Sequence, residues 1–166
     1  MKCLGIEGTE VKTDCIGCSI NEGKIKTICR IFETENFTVE QDFEIPVPGF
    51  MIISSKRHIK GIENLTPKER IEFINLLFKV RKAMASVLET DYIYIIQKED
   101  SIIRKSHFHF WLFPQYNWML EKFGGKVSSL SPIIEYAKKE MKTKDNISTV
   151  KNTAEKIHKA LIKVKP

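Results

Sequence analysis

Only four histidines occur in this 166-residue chain, and two of them, His107 and His109, stand one residue apart in SHFHFWLFPQYNW. Imidazole changes charge near neutral pH and serves as acid, base, nucleophile or metal ligand. In an extended segment alternate residues share a face, so His107, His109 and Trp111 point one way, about 6–7 Å apart. Phe108, Phe110 and Leu112 then point the other way, into apolar packing. Such a pair also fits two satisfied, half-buried histidines. A second signature is CIGC, which places Cys15 and Cys18 at the spacing of metal ligands or of a redox pair. A redox pair would open a helix after a strand, whereas the following SINEGKIK is turn-rich and favours metal. Two thiolates and two imidazoles make the donor set of a tetrahedral zinc site, and His58, in SKRH, is the spare histidine of the core.

Positioning these groups requires strands and at least one long helix. TICRIFET and NFTVEQDF are β-rich runs with a very short link and read as a hairpin. EIPVPGFMIISSKRH then carries a buried strand at Phe50–Ser54, approached in extended form because Pro46 and Pro48 exclude a helix. LTPKERIEFINLLFKVRKAMASVLE is the clearest helix: Thr66 as N-cap, Pro67 at the first helical position and Glu69 completing a capping box. Ile71, Ile74, Leu77 or Phe78, Met84 and Val87 or Leu88 recur at helical spacing as its expected buried stripe. DYIYIIQ and HFHFWLF are two further strands joined by a charged loop. A shorter helix is expected from Ser131-Pro132 to about Met141, and STVKNTAEKIHKALIKV as a last amphipathic helix carrying His158 as a surface residue. This order predicts an α+β fold: an antiparallel sheet with helices on one side.

The length suits one domain with a real core. A net charge of +6 suits an anionic ligand such as a phosphate ester. The C-terminal lysines are interspersed with acids and read as a solvated helical face, with no strong case for nucleic acid. No apolar run reaches membrane-spanning length, and MKCLGIEGTEVK lacks a signal-peptide core, so a cytoplasmic protein is expected. Cys3 and Cys29 read as structural or incidental.

The ordered set of CIGC, a strand pair ending at Asp42, PVPGFMIISSKRH, a Thr-Pro-x-Glu helix and a His-x-His strand ending at Pro114 resembles the histidine triad superfamily, over Asp14–Pro114. The resemblance implies a five-stranded antiparallel sheet with a long helix packed on it. Residues 1–13 would then be a loose leader, 14–114 the core, and 115–166 a helical extension of the same domain. It implies that His109 is the nucleophile attacking the α-phosphorus of a nucleotide ester, anhydride or phosphoramidate, and that His107 joins Cys15, Cys18 and His58 on a structural zinc. Asp42 would accept the ribose hydroxyls, and Gln97 would lie near the phosphates. The ligand would be a nucleotide or nucleoside polyphosphate, and the protein a homodimer built through the long helix and a neighbouring strand. Three departures stand out. Trp111 occupies the third histidine position, Phe50 the position after Pro-Gly, and KEDSIIRKS replaces a glycine-rich loop. Trp111 stacks on a base, narrows the pocket, or fills the core. Arg104, Lys105 and Ser106 either replace phosphate contacts or form an exposed charged loop. Tyr116 and Trp118 either line the leaving-group side or pack. Loss of two phosphate-side donors leaves a nucleotide-binding protein without turnover as the alternative function.

Overall fold

The architecture is that of a computed structural model describing residues 2–26, 30–97 and 107–164. Its elements are β1 (Lys2–Leu4), β2 (Glu10–Lys12), α1 (Ile16–Asn21), β3 (Arg30–Glu33), β4 (Phe37–Gln41), β5 (Met51–Ser55), α2 (Pro67–Val87), β6 (Ile93–Gln97), β7 (His109–Pro114), α3 (Asn117–Phe123), α4 (Leu130–Glu140) and α5 (Lys144–Lys163). The five long-chain strands form one antiparallel sheet in the order β3-β4-β5-β7-β6. The chain leaves β5, runs through α2, and returns as β6 at the edge before β7 inserts beside β5. This is the expected α+β fold.

The helices occupy both faces of the sheet, not one side as the sequence suggests. Phe37, Val39, Met51, Ile53, Phe108 and Leu112 pack with α2 and α5 in the main core. On the opposite face Phe50, Phe113 and the partly buried Trp111 pack with Met119, Ile133 and Ala137 of α3 and α4. The strands therefore need apolar residues on both sides, and their alternation is incomplete.

Thr66 Oγ1 accepts a hydrogen bond from Glu69 N–H, and the Glu69 carboxylate accepts one from Thr66 N–H, so the capping box forms as read. The buried stripe of α2 forms only in its second half, where Met84 is buried and Leu77, Val87 and Leu88 pack against the core. Phe73, Leu76, Val80, Ala83 and Met84 face the core, while Ile71, Ile74 and Phe78 remain 64%, 58% and 66% exposed. Ring packing decides the face: Phe73 lies against Phe37, Phe108 and Phe110 at centroid distances of 5.6, 5.5 and 4.7 Å. Shifting by one residue turns a helix about 100°, which carries Ile74 away.

Three short elements escape the sequence reading. The first dozen residues are not loose: β1 and β2 form a hairpin whose Cys3 is buried with Ile25 and Phe43. CIGC opens helix α1 with Cys15 as its N-cap. Helix α3 follows the histidine strand directly. His158 is half-buried, its Nδ1 bonded to the Ile31 carbonyl, and so is not a partnerless surface residue. Cys29 lies outside the described residues. None of the described helices is long and apolar enough to cross a membrane.

Candidate metal centre and active-site cavity

Four donors from three parts of the chain converge. Cys15 Sγ lies 3.5 Å from His58 Nδ1 and 3.3 Å from His107 Nδ1. Cys18 Sγ lies 3.3 Å from His58 Nδ1 and 3.6 Å from His107 Nδ1. A tetrahedral zinc with bonds of about 2.3 Å to sulfur and 2.05 Å to nitrogen has sulfur–nitrogen edges of about 3.6 Å. All four donor atoms sit within 4.8 Å of one another. The residues therefore fit zinc in both donor type and edge length.

Local structure explains the convergence. Helix α1 puts Cys15 at its cap and Cys18 one turn on, so both sulfurs leave on one side. Gly17 between them permits the approach, because a Cβ there would lie 2.7 Å from the His107 ring. His107 Nε2 donates to the Ser55 carbonyl at 2.7 Å. That bond fixes the tautomer and leaves Nδ1 as the lone-pair nitrogen, as an outer-shell partner does for a metal histidine. Burial depresses the His107 pKa, which favours the neutral, ligating form. Burial, and next the Cys15 thiol, push Cys18 up to about 11, so paired thiolates here require a cation. The loop carrying His58 is clamped by its neighbour. Arg57 Nε and Nη2 donate to the two oxygens of Glu69 at 2.6 and 2.7 Å, and that pair holds the Glu69 carboxyl down at about 2.

His109 lies one strand alternation from His107, on the same face. Its Nδ1 donates to the His107 carbonyl at 2.7 Å, which leaves Nε2 as the lone-pair nitrogen of the ring. A cavity of about 410 Å³ opens at this face. Its floor includes Ser54, Ile52, His109 and Trp111, one wall comes from Ile16, Gly17 and Ile20 of α1, and the rim beyond β4 carries Asp42 and Phe43. Helix α4 supplies the other wall through Ser131, Ile134, Glu135 and Lys138, four residues on one helical face. Lys138 reaches Glu44 across the rim at 3.7 Å.

Asp42 is fixed as an acceptor. Its Oδ1 takes the backbone N–H groups of Glu44 and Ile45 at 2.9 and 2.7 Å. Burial nevertheless pushes its carboxyl up to about 6, against those two bonds.

The structure brings Cys15, Cys18, His58 and His107 together in the metal cluster, and Asp42, His109 and Trp111 around one cavity. Gln97 is not among the cavity-lining residues: it pairs with Phe110, whose face is the α2 side. Arg104, Lys105 and Ser106 lie outside the described residues. Phe50 is fully buried, edge-on to Trp111 and Phe113 at 5.4 and 4.9 Å. Trp111 packs on Phe50 and also lines the cavity. Tyr116 instead donates to the Pro48 carbonyl at 2.8 Å, and Trp118 packs on Tyr136 at 5.7 Å. The sequence reading missed Gly17, whose signal is a glycine inside the Cys pair, and Ser54, whose signal is a hydroxyl at an alternate position of a buried strand.

No family model matches the chain, and no curated protein matches it. Solved structures do. A zinc-bound histidine triad family protein from Mycobacterium smegmatis superposes with a TM-score of 0.63 at 18% identity, covering 89% of this chain and 93% of that one. A hypothetical histidine triad nucleotide-binding protein from Sulfolobus tokodaii gives 0.64 at 14%, covering 89% and 92%. A uridylyltransferase gives 0.65 at 21%, covering 92% of this chain and 46% of that one, so this chain spans about half of it. The chain has the histidine triad fold.

Proposed function

We propose that this protein is a zinc-holding histidine triad enzyme, a nucleotide hydrolase or nucleotidyl transferase. His109 attacks the α-phosphorus of a nucleoside phosphate ester, anhydride or phosphoramidate. The observation that carries this reading is the His109 tautomer: Nδ1–H is committed to the His107 carbonyl, and the ring borders a cavity that also presents Asp42.

Each part of the cavity then has a task. Asp42 accepts the nucleoside hydroxyls, while Ile16, Ile20 and Phe43 offer an apolar wall for the base. His109 Nε2 forms the bond to phosphorus as the leaving group departs, and water or another acceptor then resolves the nucleotidyl-imidazole. Cys15, Cys18, His58 and His107 would hold zinc as a closed four-ligand structural site, which ties α1, the β5–α2 loop and the start of β7 together. Mixing the protein with a fluorogenic adenosine phosphoramidate and with diadenosine tetraphosphate tests the reading. Turnover is expected with at least one of them, and loss of at least a hundredfold in His109→Ala. An unchanged rate in that variant overturns the assignment.

A second reading is favoured by the Phe50–Trp111 pair, which puts aromatic carbon where the resemblance calls for imidazoles. It is a nucleotide-binding protein without turnover, and calorimetry showing nucleoside monophosphate binding with no hydrolysis would select it. The exposed stripe of Ile71, Ile74 and Phe78, together with Ile95 at 46% exposure on edge strand β6, supports the homodimer. A second copy would cover these residues.

A further inference from the structure

The apolar wall offered to the base is interrupted by one buried charge. Glu40 lines the cavity together with Ile16 and Ile20, is only 5% exposed, and has Ile52 as its neighbour on β5. The carboxylates of Glu44 and Glu135 also border the cavity, but Glu44 is met by Lys138 and Glu135 is exposed. Strand register fixes where Glu40 stands. Glu40 pairs with Ile52 and Ile52 with Trp111, one alternation along from the pairing of Ser54 with His109. Glu40 is thus two strands across and two residues along from His109 on the same face, roughly 12 Å between Cα atoms. Arg30, opposite it on β3, meets Glu40 Oε1 through Nε alone, at 3.1 Å. Arg30 Nη2 turns instead to the Ile20 carbonyl and Asn21 Oδ1 of α1, at 3.3 and 3.5 Å. The guanidinium therefore does not close on the carboxylate as a two-pronged fork; it ties the carboxylate to the wall of the slot. Burial works against the Glu40 charge, while Arg30 and the Thr38 hydroxyl support it. A carboxylate offers about four lone-pair positions, so these two donors leave acceptor capacity on a group that borders the cavity. One placed polar group in an otherwise apolar slot is how a pocket fixes the identity of its ligand.

Resting on the reading of the cavity as a nucleotide site, we propose that Glu40 is its base-selecting residue. With the phosphate at His109, the base lies in the slot between α1 and the sheet, and its edge meets the Glu40 carboxylate. That carboxylate accepts a hydrogen bond from an amino group on the base edge, as adenine and guanine both carry. A base with nothing to donate at that point leaves the buried charge without its third partner. A base that turns a carbonyl oxygen to it sets two acceptors against each other, so both are disfavoured.

The test is calorimetric binding of nucleoside 5′-monophosphates to the zinc-loaded full chain, in pairs that differ by one amino group. Adenosine monophosphate is set against purine riboside monophosphate, and guanosine monophosphate against inosine monophosphate. In at least one pair the aminated member is expected to bind about 10- to 100-fold tighter, the worth of a hydrogen bond to an ionised acceptor. The pair that separates tells which base the slot takes. Glu40→Gln keeps the shape and loses the charge, and it is expected to bring that ratio down to about fivefold or less. Affinity for the member without the amino group should stay within about threefold of the parent. Ratios near one in both pairs with the parent protein overturn the proposal. So does a Glu40→Gln variant that keeps the parent ratio, or one that weakens both members of a pair alike, as loss of a purely structural ion pair would. If Glu40→Gln does not fold, the ratios in the parent still decide. If no monophosphate binds at all, the nucleotide reading itself has failed; if all four bind equally, only the base selection has.

Discussion

Asp42 is expected to be a residue that the fold would be more stable without. Its carboxyl is moved from 3.8 to about 6, and at about 1.4 kcal/mol per unit that is about 3 kcal/mol held against the ionised form. The residue is half-buried at a cavity rim, so water there screens part of the effect and about 1–2 kcal/mol is the working figure. The sign follows from proton binding. Around pH 5 the folded chain holds a proton at Asp42 that the unfolded chain has released, so the penalty is full above about 6 and fades as pH falls toward 3.8. Asp42→Asn keeps an oxygen for the Glu44 and Ile45 N–H groups and removes the charge. Urea unfolding should show the variant more stable than the parent by about 1–2 kcal/mol near pH 7.5. The gap should shrink toward zero near pH 4. In the same variant, nucleoside monophosphate binding should weaken about 10- to 100-fold, the worth of a hydrogen bond to an ionised acceptor. A variant that is less stable at pH 7.5, or a gap independent of pH, refutes the electrostatic argument. Unchanged nucleotide affinity refutes the role given to Asp42.

Zinc should be present at about one equivalent and couple to folding. Prolonged chelation is expected to lower Tm by more than 10 °C, since the ligands join three separate segments, and Tm should recover when zinc is restored. Phe78→Glu, at a position 66% exposed, should leave denaturant stability within about 0.5 kcal/mol at fixed subunit state. In sedimentation it should convert a dimer to monomer, and a monomeric parent would refute the pairing face.

The legible parts of the fold were those whose signal is local. Thr66-Pro67-x-Glu69 is a complete capping box and specified the start of α2 to the residue. The alternation of His107, His109 and Trp111 against Phe108, Phe110 and Leu112 is a property of extended backbone, and the structure follows it. The cluster of Cys15, Cys18, His58 and His107 was legible because the CxxC spacing and the scarcity of histidines named the candidates, and the likeness to the histidine triad superfamily chose His107 from its pair. What could not be read depends on partners far along the chain. Ile71, Ile74 and Phe78 form as good a stripe as Phe73, Leu76 and Val80, and only the rings of Phe37, Phe108 and Phe110 select between them. Helices on both sheet faces were hidden for the same reason: nothing near Phe50 or Phe113 in the chain announces that Ile133 and Ala137 of α4 pack against them.

The cavity floor shows why Trp111 alone does not decide whether this protein is catalytic. A tryptophan in the strand stands where the resemblance calls for an imidazole, and so removes a phosphate-side donor at that point of the sheet. The neighbouring row, however, is polar in the one place where a donor would help, since Ser54 is opposite His109 and is joined to Thr38. Loss of catalysis by drift would remove the pressure to bury two hydroxyls and Glu40 in a sheet, each of which costs free energy unless satisfied. Trp111 meanwhile is not loosely tolerated: it packs edge-on to Phe50, which in turn packs on Phe113, so the aromatic pair is a built part of the floor. The floor thus gives His109 one polar and one aromatic neighbour, and turnover measured on the parent protein, not the tryptophan by itself, separates an enzyme from a nucleotide-binding protein.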